Sequence, residues 1–228
     1  FVFQDASASR AALPDFYTEN YRKLYQESEA PTPKDLHQQE LRAEYQIRFL
    51  RAQGVQSLLR VLDIGASSGS FLRALQQEFH AEGVGVEPGN AYRALAEAQG
   101  LSMVESLPEL IASKPDRFDL VSLMHVLEHL PDPVRVLRQI REDLLAPQGW
   151  LLLEVPNFYA HNSYELAHLS CFTPHTIAEA LSKSGYEVVC LRQHGYPRSE
   201  LFKLYLNVLT RPNANSPVDY EVQPEKAV

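Results

Sequence analysis

The sequence is poor in cysteine and has no long apolar run, and both shortages limit what the protein can be. Its 228 residues include only Cys171 and Cys190, which lie far apart and form no CxxC pair. This fits a reduced protein and predicts a cytoplasmic location. No apolar stretch approaches the roughly 18–20 residues that a membrane-spanning helix needs, so we expect no membrane span. The chain begins at Phe1 without a methionine, and we expect it to be a fragment of a longer protein.

Positive charge is scarce as well. Asp and Glu number 29 against 21 Lys and Arg, which gives a formal net charge of −8. A protein that binds nucleic acid regardless of sequence needs a basic face, so we predict no nucleic-acid partner. Apolar residues make up 45% of the chain, enough for a sizeable core. The length predicts one large domain with room for an N-terminal extension.

Strand and helix patterns alternate from residue 59 onwards. We predict helices over 70–80, 91–99, 107–113, 133–145 and 173–184, and strands over 59–64, 83–87, 101–104, 118–124, 150–155, 186–192 and 201–209. Repeated strand–helix units predict an α/β, Rossmann-like, doubly wound and mostly parallel seven-stranded sheet. No helix separates the last two strands, so we expect an antiparallel edge strand.

Three further segments flank or interrupt this pattern. Residues 1–54 are predicted to form an N-terminal helical extension or lid, with an amphipathic helix over 34–53. The main domain is expected to span 55–211. Within it, the aromatic and polar segment 156–172 follows the fifth strand and is predicted to be a substrate lid. The tail 212–228 is rich in proline, asparagine and charge, which predicts flexibility.

The segment Arg60–Phe71, RVLDIGASSGSF, runs from an apolar strand through small residues into a helix. Small residues let a nucleotide-like ligand approach the backbone closely. The two glycines are not spaced as in the dinucleotide fingerprint GxGxxG. Glu87 ends the second strand, where a carboxylate can accept hydrogen bonds from two ribose hydroxyls. A tight strand–helix turn without a ligand is the alternative interpretation.

These residues resemble class I S-adenosylmethionine-dependent methyltransferases. Asp63, Gly65 and Gly69 match the family's first motif, (D/E)xGxGxG, with Ser67 at the middle glycine, and Glu87 matches the acid of the second motif. DRFDLVSLMHVLEHLPDP (116–133) and LLAPQGWLLLEVPN (144–157) resemble later blocks of small-molecule methyltransferases, although Gln148 replaces a glycine. The resemblance covers roughly residues 56–209.

The resemblance implies S-adenosylmethionine as cofactor and S-adenosylhomocysteine as product. An amino-acid tail and a ribose would lie against the strand ends, with main-chain atoms after the fourth strand at the methionine end. The implied cofactor-binding residues are Asp63, Gly65, Ala66, Ser67, Gly69, Phe71, Glu87, Pro88, Met124 and His125.

The run HLSCFTP (168–174) resembles the HLxxF(S/T) block of the same subgroup. We predict His168 as the general base, since an imidazole pKa near 6.5 suits the removal of a hydroxyl proton. The alternative is that His168 only hydrogen-bonds the lid to the core. His129, His161 and Tyr164 are further candidates for the catalytic site.

A metal site is a competing interpretation of one segment. His125-Val126-Leu127-Glu128-His129 matches the inverted zinc-peptidase pattern HxxEH. Such a site needs a third ligand and a helix that continues past His129, and Leu130-Pro131-Asp132-Pro133 breaks the helix at once. We therefore predict no metal.

The predicted reaction is methyl transfer to a small molecule, most simply to a hydroxyl of a sugar or other secondary metabolite. One alternative is a methyltransferase-like module that binds the cofactor without turnover, which the departures at Ser67 and Gln148 motivate. Another is a sugar C-methyltransferase, although only His168-Leu169 of that branch's YHEHL pattern is present. Methylation of a macromolecule is a third alternative. The acidic charge disfavours it, and so does the segment Ser122–His125, which stands where such enzymes carry the block (N/D)PPY and offers no Asn or Asp to bind an amide.

Overall fold

A seven-stranded sheet with helices on both faces forms the centre of the described structure. The computed structural model describes residues 2–3, 31–161, 165, 167–213, 223 and 225. The strands are β1 Val2–Phe3, β2 Arg60–Ile64, β3 Glu82–Val86, β4 Ser102–Val104, β5 Phe118–Met124, β6 Leu145–Pro156, β7 Ser170–Cys171, β8 Tyr186–His194 and β9 Tyr205–Pro212. The α-helices are α1 Pro33–Ala52, α2 Ser70–Phe79, α3 Asn90–Ala98, α4 Leu107–Ala112, α5 Pro133–Gln139 and α6 Pro174–Lys183.

The order of the main sheet is β4-β3-β2-β5-β6-β9-β8. The first five strands are mutually parallel, and β9 pairs antiparallel with both β6 and β8. The predicted fold class and the antiparallel pairing at one edge are therefore confirmed, with the reversed strand next to the outermost one. A separate two-stranded sheet joins β1 to β7. The carboxyl ends of β2, β3, β5 and β6 share one edge, where open α/β sheets bind ligands.

Helix starts follow the sequence closely. Thr32 caps α1 through a reciprocal hydrogen-bonded box with Asp35, and Pro33 occupies the first turn. Asp132 caps α5 in the same way that Thr173 caps α6, each followed by a proline. Proline is tolerated in the first turn because its missing N–H has no helical partner there. These caps explain why the predicted starts of α1, α5 and α6 agree with the structure to within one residue; α2 and α3 begin after a glycine without a side-chain cap.

The core lies on both faces of the sheet. Leu62, Ile64, Val121 and Leu123 belong to one cluster, which packs against α5 and α6. The other face packs against α1 and α2, with Val61, Leu120, Leu152 and Leu209 on the strands. Strands covered on both faces read as continuous apolar runs rather than as alternating ones. Among the described residues, the structure contains no helix with the length and apolar character to span a bilayer.

Three predicted boundaries differ from the structure by four residues or more, and one of them is the start of β6, which lies at Leu145 rather than at residue 150. The helix expected over 133–145 is an α-helix only to Gln139, and a π-helical turn, Ile140–Leu144, leads directly into β6. The last strand begins at Tyr205 rather than at residue 201, because Leu201 and Phe202 lie in a loop with exposed fractions of 88% and 69%. Their apolar character favoured a strand that the chain does not form there.

Candidate active site

The loop that joins β2 to α2 is a tight turn with three residues in the left-handed region. Gly65, Ser67 and Gly69 have φ angles of 77°, 53° and 77°. A Cβ on Gly65 would collide with the side chain of Val126. The Gly65 amide donates to the Val86 carbonyl at 2.8 Å, which ties the loop to the end of β3. The turn is therefore fixed by close packing against Val126 and by its bond to β3, and its residues Gly65, Ala66 and Ser67 line a cavity at this end of the sheet.

Glu87 faces this loop from the end of β3. Its exposed fraction is 2%. One carboxylate oxygen accepts the Ser67 amide at 2.9 Å, and the other accepts the Gly89 amide at 2.8 Å. A carboxylate oxygen can accept more than one hydrogen bond, so these two bonds do not by themselves prevent contacts with ribose hydroxyls. The side chain is thus fixed in place before any ligand arrives.

Replacing Ser67 with glycine should stabilise the free protein by about 1 kcal/mol. A non-glycine residue in the left-handed region carries a cost of about 1–2 kcal/mol, part of which is offset by the greater flexibility of glycine in the unfolded chain. Cofactor affinity should be preserved or increased. Denaturant unfolding and calorimetric titration measure the two effects.

Ser68→Gly is the matched control for Ser67→Gly. Ser68 has no positive φ, and its hydroxyl donates to Gln39 on α1 at 2.5 Å. The change should therefore destabilise the protein. A loss of cofactor binding in Ser67→Gly would contradict the assignment of the loop.

Asp63 ends β2 beneath the loop with an exposed fraction of 3%. It accepts a hydrogen bond of 2.7 Å from the Ser122 hydroxyl. Burial raises the pKa of Asp63 to about 7; the Ser122 hydrogen bond opposes this shift, and the nearby Glu87 charge adds to it. The folded protein therefore holds the proton of this carboxyl more tightly than the unfolded chain does. The stability that this proton contributes is fully present below the unfolded pKa of 3.8 and is lost as the pH rises through about 7.

Cofactor affinity should therefore depend on pH. S-adenosylmethionine carries an ammonium and a sulfonium, so it should bind the ionised form of Asp63 better and displace its proton. We expect the Kd to rise by up to about tenfold per pH unit below pH 7 and to level off above it. Calorimetry in buffers of different ionisation enthalpy measures the released proton. In Asp63→Asn, binding should be weaker and this pH dependence should disappear; an unchanged profile would contradict the role of Asp63.

A cavity of about 670 Å³ lies over the loop. All of the predicted cofactor residues except Gly69 line it, together with Glu105, Ser106, Leu107 and Pro108 on its rim. Gly69 lies behind the loop, where a Cβ would collide with Leu101. The size suits a nucleoside cofactor, since ligand pockets typically measure about 300–1,000 Å³. That these residues bind the cofactor stays a prediction.

One wall of the cavity comes from α1. Gln39, Arg42, Ala43 and Gln46 line it and are not among the predicted site residues. Their spacing of three and four residues places them on one helix face. A polar stripe on a helix already predicted to be a lid is the signal that could have identified them.

Glu154, near the end of β6, organises a second set of contacts that the sequence does not reveal. It is completely buried and lies 2.9 Å from Arg42 Nε and 2.8 Å from His125 Nε2 through one oxygen. Its other oxygen accepts from Gln46 Nε2 at 2.6 Å and lies 3.2 Å from His194 Nε2. Burial would raise the pKa of Glu154, but the Arg42 charge and the two histidines outweigh it and hold the pKa well below its usual range.

A smaller pocket of about 260 Å³ adjoins the cofactor cavity. Arg42, His125 and His129 line both. The other residues of this smaller pocket, called the acceptor pocket after the role proposed for it below, are Glu128, Pro156, Phe158, His161, Glu165, His168, Ser170, Cys171, Arg198 and Tyr205. More than half of the residues that line this pocket belong to the predicted lid segment 156–172. The predicted lid therefore lies beside the predicted cofactor site.

The structure brings two of the predicted catalytic residues together. The rings of His129 and His168 lie 4.9 Å apart between centroids. His168 Nε2 lies 3.3 Å from a carboxylate oxygen of Glu165. Burial lowers the pKa of His168 below its usual value. Tyr164 lies outside the described residues.

The HxxEH segment does not form a continuous helix. Leu127–His129 is a 3₁₀ turn, and α5 starts separately at Pro133. His125 adopts a φ of 57° and directs Nε2 to Glu154. The predicted break after His129 is therefore present, and an inverted zinc-peptidase helix is absent from this described segment.

The chain has the fold, the glycine turn and the acid at the end of β3 that are typical of α/β domains that bind a nucleoside. Similarity to known proteins identifies the family. The family model described as "Methyltransferase domain" matches residues 17–191. The chain therefore belongs to the methyltransferase-domain family. The predictions of a methyltransferase and of S-adenosylmethionine as its cofactor are confirmed at the level of family and fold.

Particular relatives agree with this family. A ubiquinone biosynthesis O-methyltransferase of Leptothrix cholodnii is 29% identical over 132 residues, which cover 52% of this chain and 55% of the relative. The chain thus matches about half the length of this curated relative.

Two solved structures share the fold. The 1,6-didemethyltoxoflavin-N1-methyltransferase of Burkholderia thailandensis has a TM-score of 0.63 at 20% identity, covering 93% of this chain and 92% of that one. The mitomycin 7-O-methyltransferase has a TM-score of 0.64 at 20% identity, covering 91% and 62%.

Proposed function

We propose that the chain transfers the methyl group of S-adenosylmethionine to a hydroxyl group of a small molecule. The observation that carries this proposal is the junction of the 670 Å³ cofactor cavity with the 260 Å³ polar pocket at His125 and His129. An acceptor in the smaller pocket can reach the methyl end of a cofactor in the larger one. The match to an O-methyltransferase supports oxygen as the acceptor atom.

The step is an in-line displacement. An oxygen lone pair of the acceptor forms the new bond to the methyl carbon, and the electrons of the carbon–sulfur bond pass to sulfur. The products are a methyl ether and S-adenosylhomocysteine, and the hydroxyl proton passes to a base. Alignment of the reactants in adjoining pockets can supply about 7–11 kcal/mol of the barrier reduction.

His168 is the proposed base. Its ring lines the acceptor pocket opposite His129, which borders both cavities. Tyr164 remains a further proposed catalytic residue of the same segment. The acceptor we propose is a sugar or secondary-metabolite hydroxyl, because a small pocket lined by histidine, arginine and carboxylate side chains suits a compact polar molecule. C-methylation of a sugar is the alternative for the same pocket.

His168→Gln should lower kcat by about 10²–10⁴-fold with little change in KM. Glutamine keeps a hydrogen-bonding side chain but cannot take a proton, so the variant separates base catalysis from a purely structural role. The measurement is single-turnover methyl transfer to the acceptor that a panel identifies. His161→Gln, in the same pocket, is the control and should have a much smaller effect, because His161 Nε2 lies 3.1 Å from the Leu204 carbonyl oxygen and is already engaged there. Full activity in His168→Gln would show that His168 is not the base.

The function itself is tested by binding and by product analysis. Calorimetry should show binding of S-adenosylmethionine and S-adenosylhomocysteine, and mass spectrometry should find a mass increase of one methylene unit in a hydroxylated acceptor. Failure to bind either cofactor form would rule out the proposal. Binding without transfer across a broad panel of sugars, phenols and amines would favour a cofactor-binding module.

We also propose a reducing, cytoplasmic setting without a nucleic-acid partner. Cys171 and Cys190 are both free thiols. The net charge of −8 disfavours a polyanionic partner. Both points agree with a small-molecule enzyme.

A further inference from the structure

Three side chains of residue types that can ligate a metal converge in the acceptor pocket. Glu128, His129 and His168 each bring one ligand atom to within 4.8 Å of the other two. Glu128 and His129 come from the 3₁₀ turn after β5, and His168 comes from the segment before β7. The fold therefore assembles the cluster from two distant stretches of sequence.

Glu128 is the unusual member. Its exposed fraction is 1%, and neither of its carboxylate oxygens has a hydrogen-bond partner among the described residues. The nearest ring nitrogens are His125 Nδ1 at 3.4 Å and His129 Nε2 at 4.0 Å. A buried carboxylate needs a compensating partner, and the histidine contacts at 3.4 and 4.0 Å are longer than ordinary hydrogen bonds; a cation at this point would compensate the carboxylate more fully.

The ring of His129 is already oriented as in metal sites. Its Nδ1 lies 2.9 Å from the Ala167 carbonyl oxygen, which can only accept, so Nδ1 carries the proton. In the neutral ring the lone pair then lies on Nε2, which is the atom on the side of Glu128. A backbone carbonyl that fixes the second ring nitrogen in this way is the usual support of a histidine ligand.

We propose that Glu128, His129 and His168 form a site for a divalent transition-metal cation such as Zn²⁺, which departs from the absence of metal predicted from the sequence and uses His168 where the HxxEH pattern would use His125. Two imidazoles and one carboxylate form the ligand set of open zinc sites and of other open divalent-metal sites. Bonds of about 2.0–2.2 Å require ligand atoms about 3.3 Å apart, so the side chains must rotate inward from the present separations. His125 is not counted as a ligand, because the described residues whose ligand atoms all lie within 4.8 Å of one another are Glu128, His129 and His168.

Three protein ligands would leave further coordination positions of a bound cation for water or for an acceptor in the same pocket. Any part that the cation plays in catalysis rests on the proposed function: an acceptor hydroxyl bound to it would have a lowered pKa and would lose its proton to water. In the metal-loaded protein His168 is a ligand and cannot also act as the base. Metal removal therefore separates the two roles.

The test uses the metal-free chain titrated with Co²⁺, whose visible absorption reports an ordered nitrogen and oxygen ligand set, and with Zn²⁺ by calorimetry. We expect one ion per chain and at least tenfold weaker binding in Glu128→Gln and in His168→Gln. His161→Gln removes a histidine from the same pocket outside the cluster and should bind as the parent does. Binding of S-adenosylhomocysteine, measured without metal, shows that each variant is folded.

The outcomes separate the metal site from the proposed function. Absence of saturable Co²⁺ binding in a chain that binds S-adenosylhomocysteine would overturn the site alone, as would equal affinity in all variants. If Glu128→Gln does not fold, the Co²⁺ affinity of His168→Gln tests the site instead, because the side chain of His168 is partly exposed and its replacement should be tolerated. Metal binding with the expected pattern in a chain that binds neither cofactor form would support the site and refute the proposed function.

Discussion

Replacing Glu154 with leucine should lower the free energy of unfolding by about 3–5 kcal/mol, the cost of leaving buried polar groups without their ionic partner. Its carboxylate is fully buried and is contacted by Arg42, Gln46 and two histidines. Leucine supplies similar volume but no acceptor, so the guanidinium and the Gln46 amide would lose their partner. The change would remove contacts of Glu154 with α1, with β8 and with the turn after β5 at the same time.

Chemical denaturation of the parent and variant at neutral pH measures the effect. Glu187→Leu is the control, since Glu187 is an exposed residue of β8, and surface changes of this kind usually remain within about 0.5 kcal/mol. The double variant with Arg42→Met should cost less than the sum of the single variants, because both act on one contact. Additive losses would contradict the network.

The parts of the site that the sequence predicts are the local ones. The turn from Asp63 to Gly69 follows from small residues between an apolar strand and an amphipathic helix. Glu87 follows from its position at the end of a strand. In each case the neighbouring residues in the sequence determine the position of the loop backbone or of the carboxylate, so one short stretch of sequence is enough to predict it.

The parts that the sequence does not predict depend on contacts between distant segments. Nothing near Glu154 indicates that it will meet Arg42 from α1 and His194 from β8. The approach of His168 to Glu128 likewise depends on how the segment before β7 crosses the turn after β5. The positive φ of Ser67 is not predicted either, because the motif shows only that a glycine is usual at this position and not which backbone angle the residue adopts.

Replacing Glu87 with glutamine should raise the Kd of S-adenosylmethionine by at least about 100-fold, or about 2.7 kcal/mol. Both carboxylate oxygens already accept backbone amides, from Ser67 and Gly89. The glutamine amide nitrogen cannot accept, so one of these amides and one ribose hydroxyl would lose their acceptor together. Glu82→Gln, at the exposed opposite end of β3, is the matched control and should bind normally.

Methylthioadenosine separates a ribose contact from a general disturbance of the loop, because it carries the ribose but lacks the amino-acid tail. Glu87→Gln should weaken its binding by the same factor as that of S-adenosylmethionine. Asp63→Asn should weaken binding of the intact cofactor alone, since Asp63 is expected to face the ammonium end. If both variants weakened both ligands equally, the loop rather than either side chain would be responsible, and the assignment of Glu87 to the ribose would be wrong.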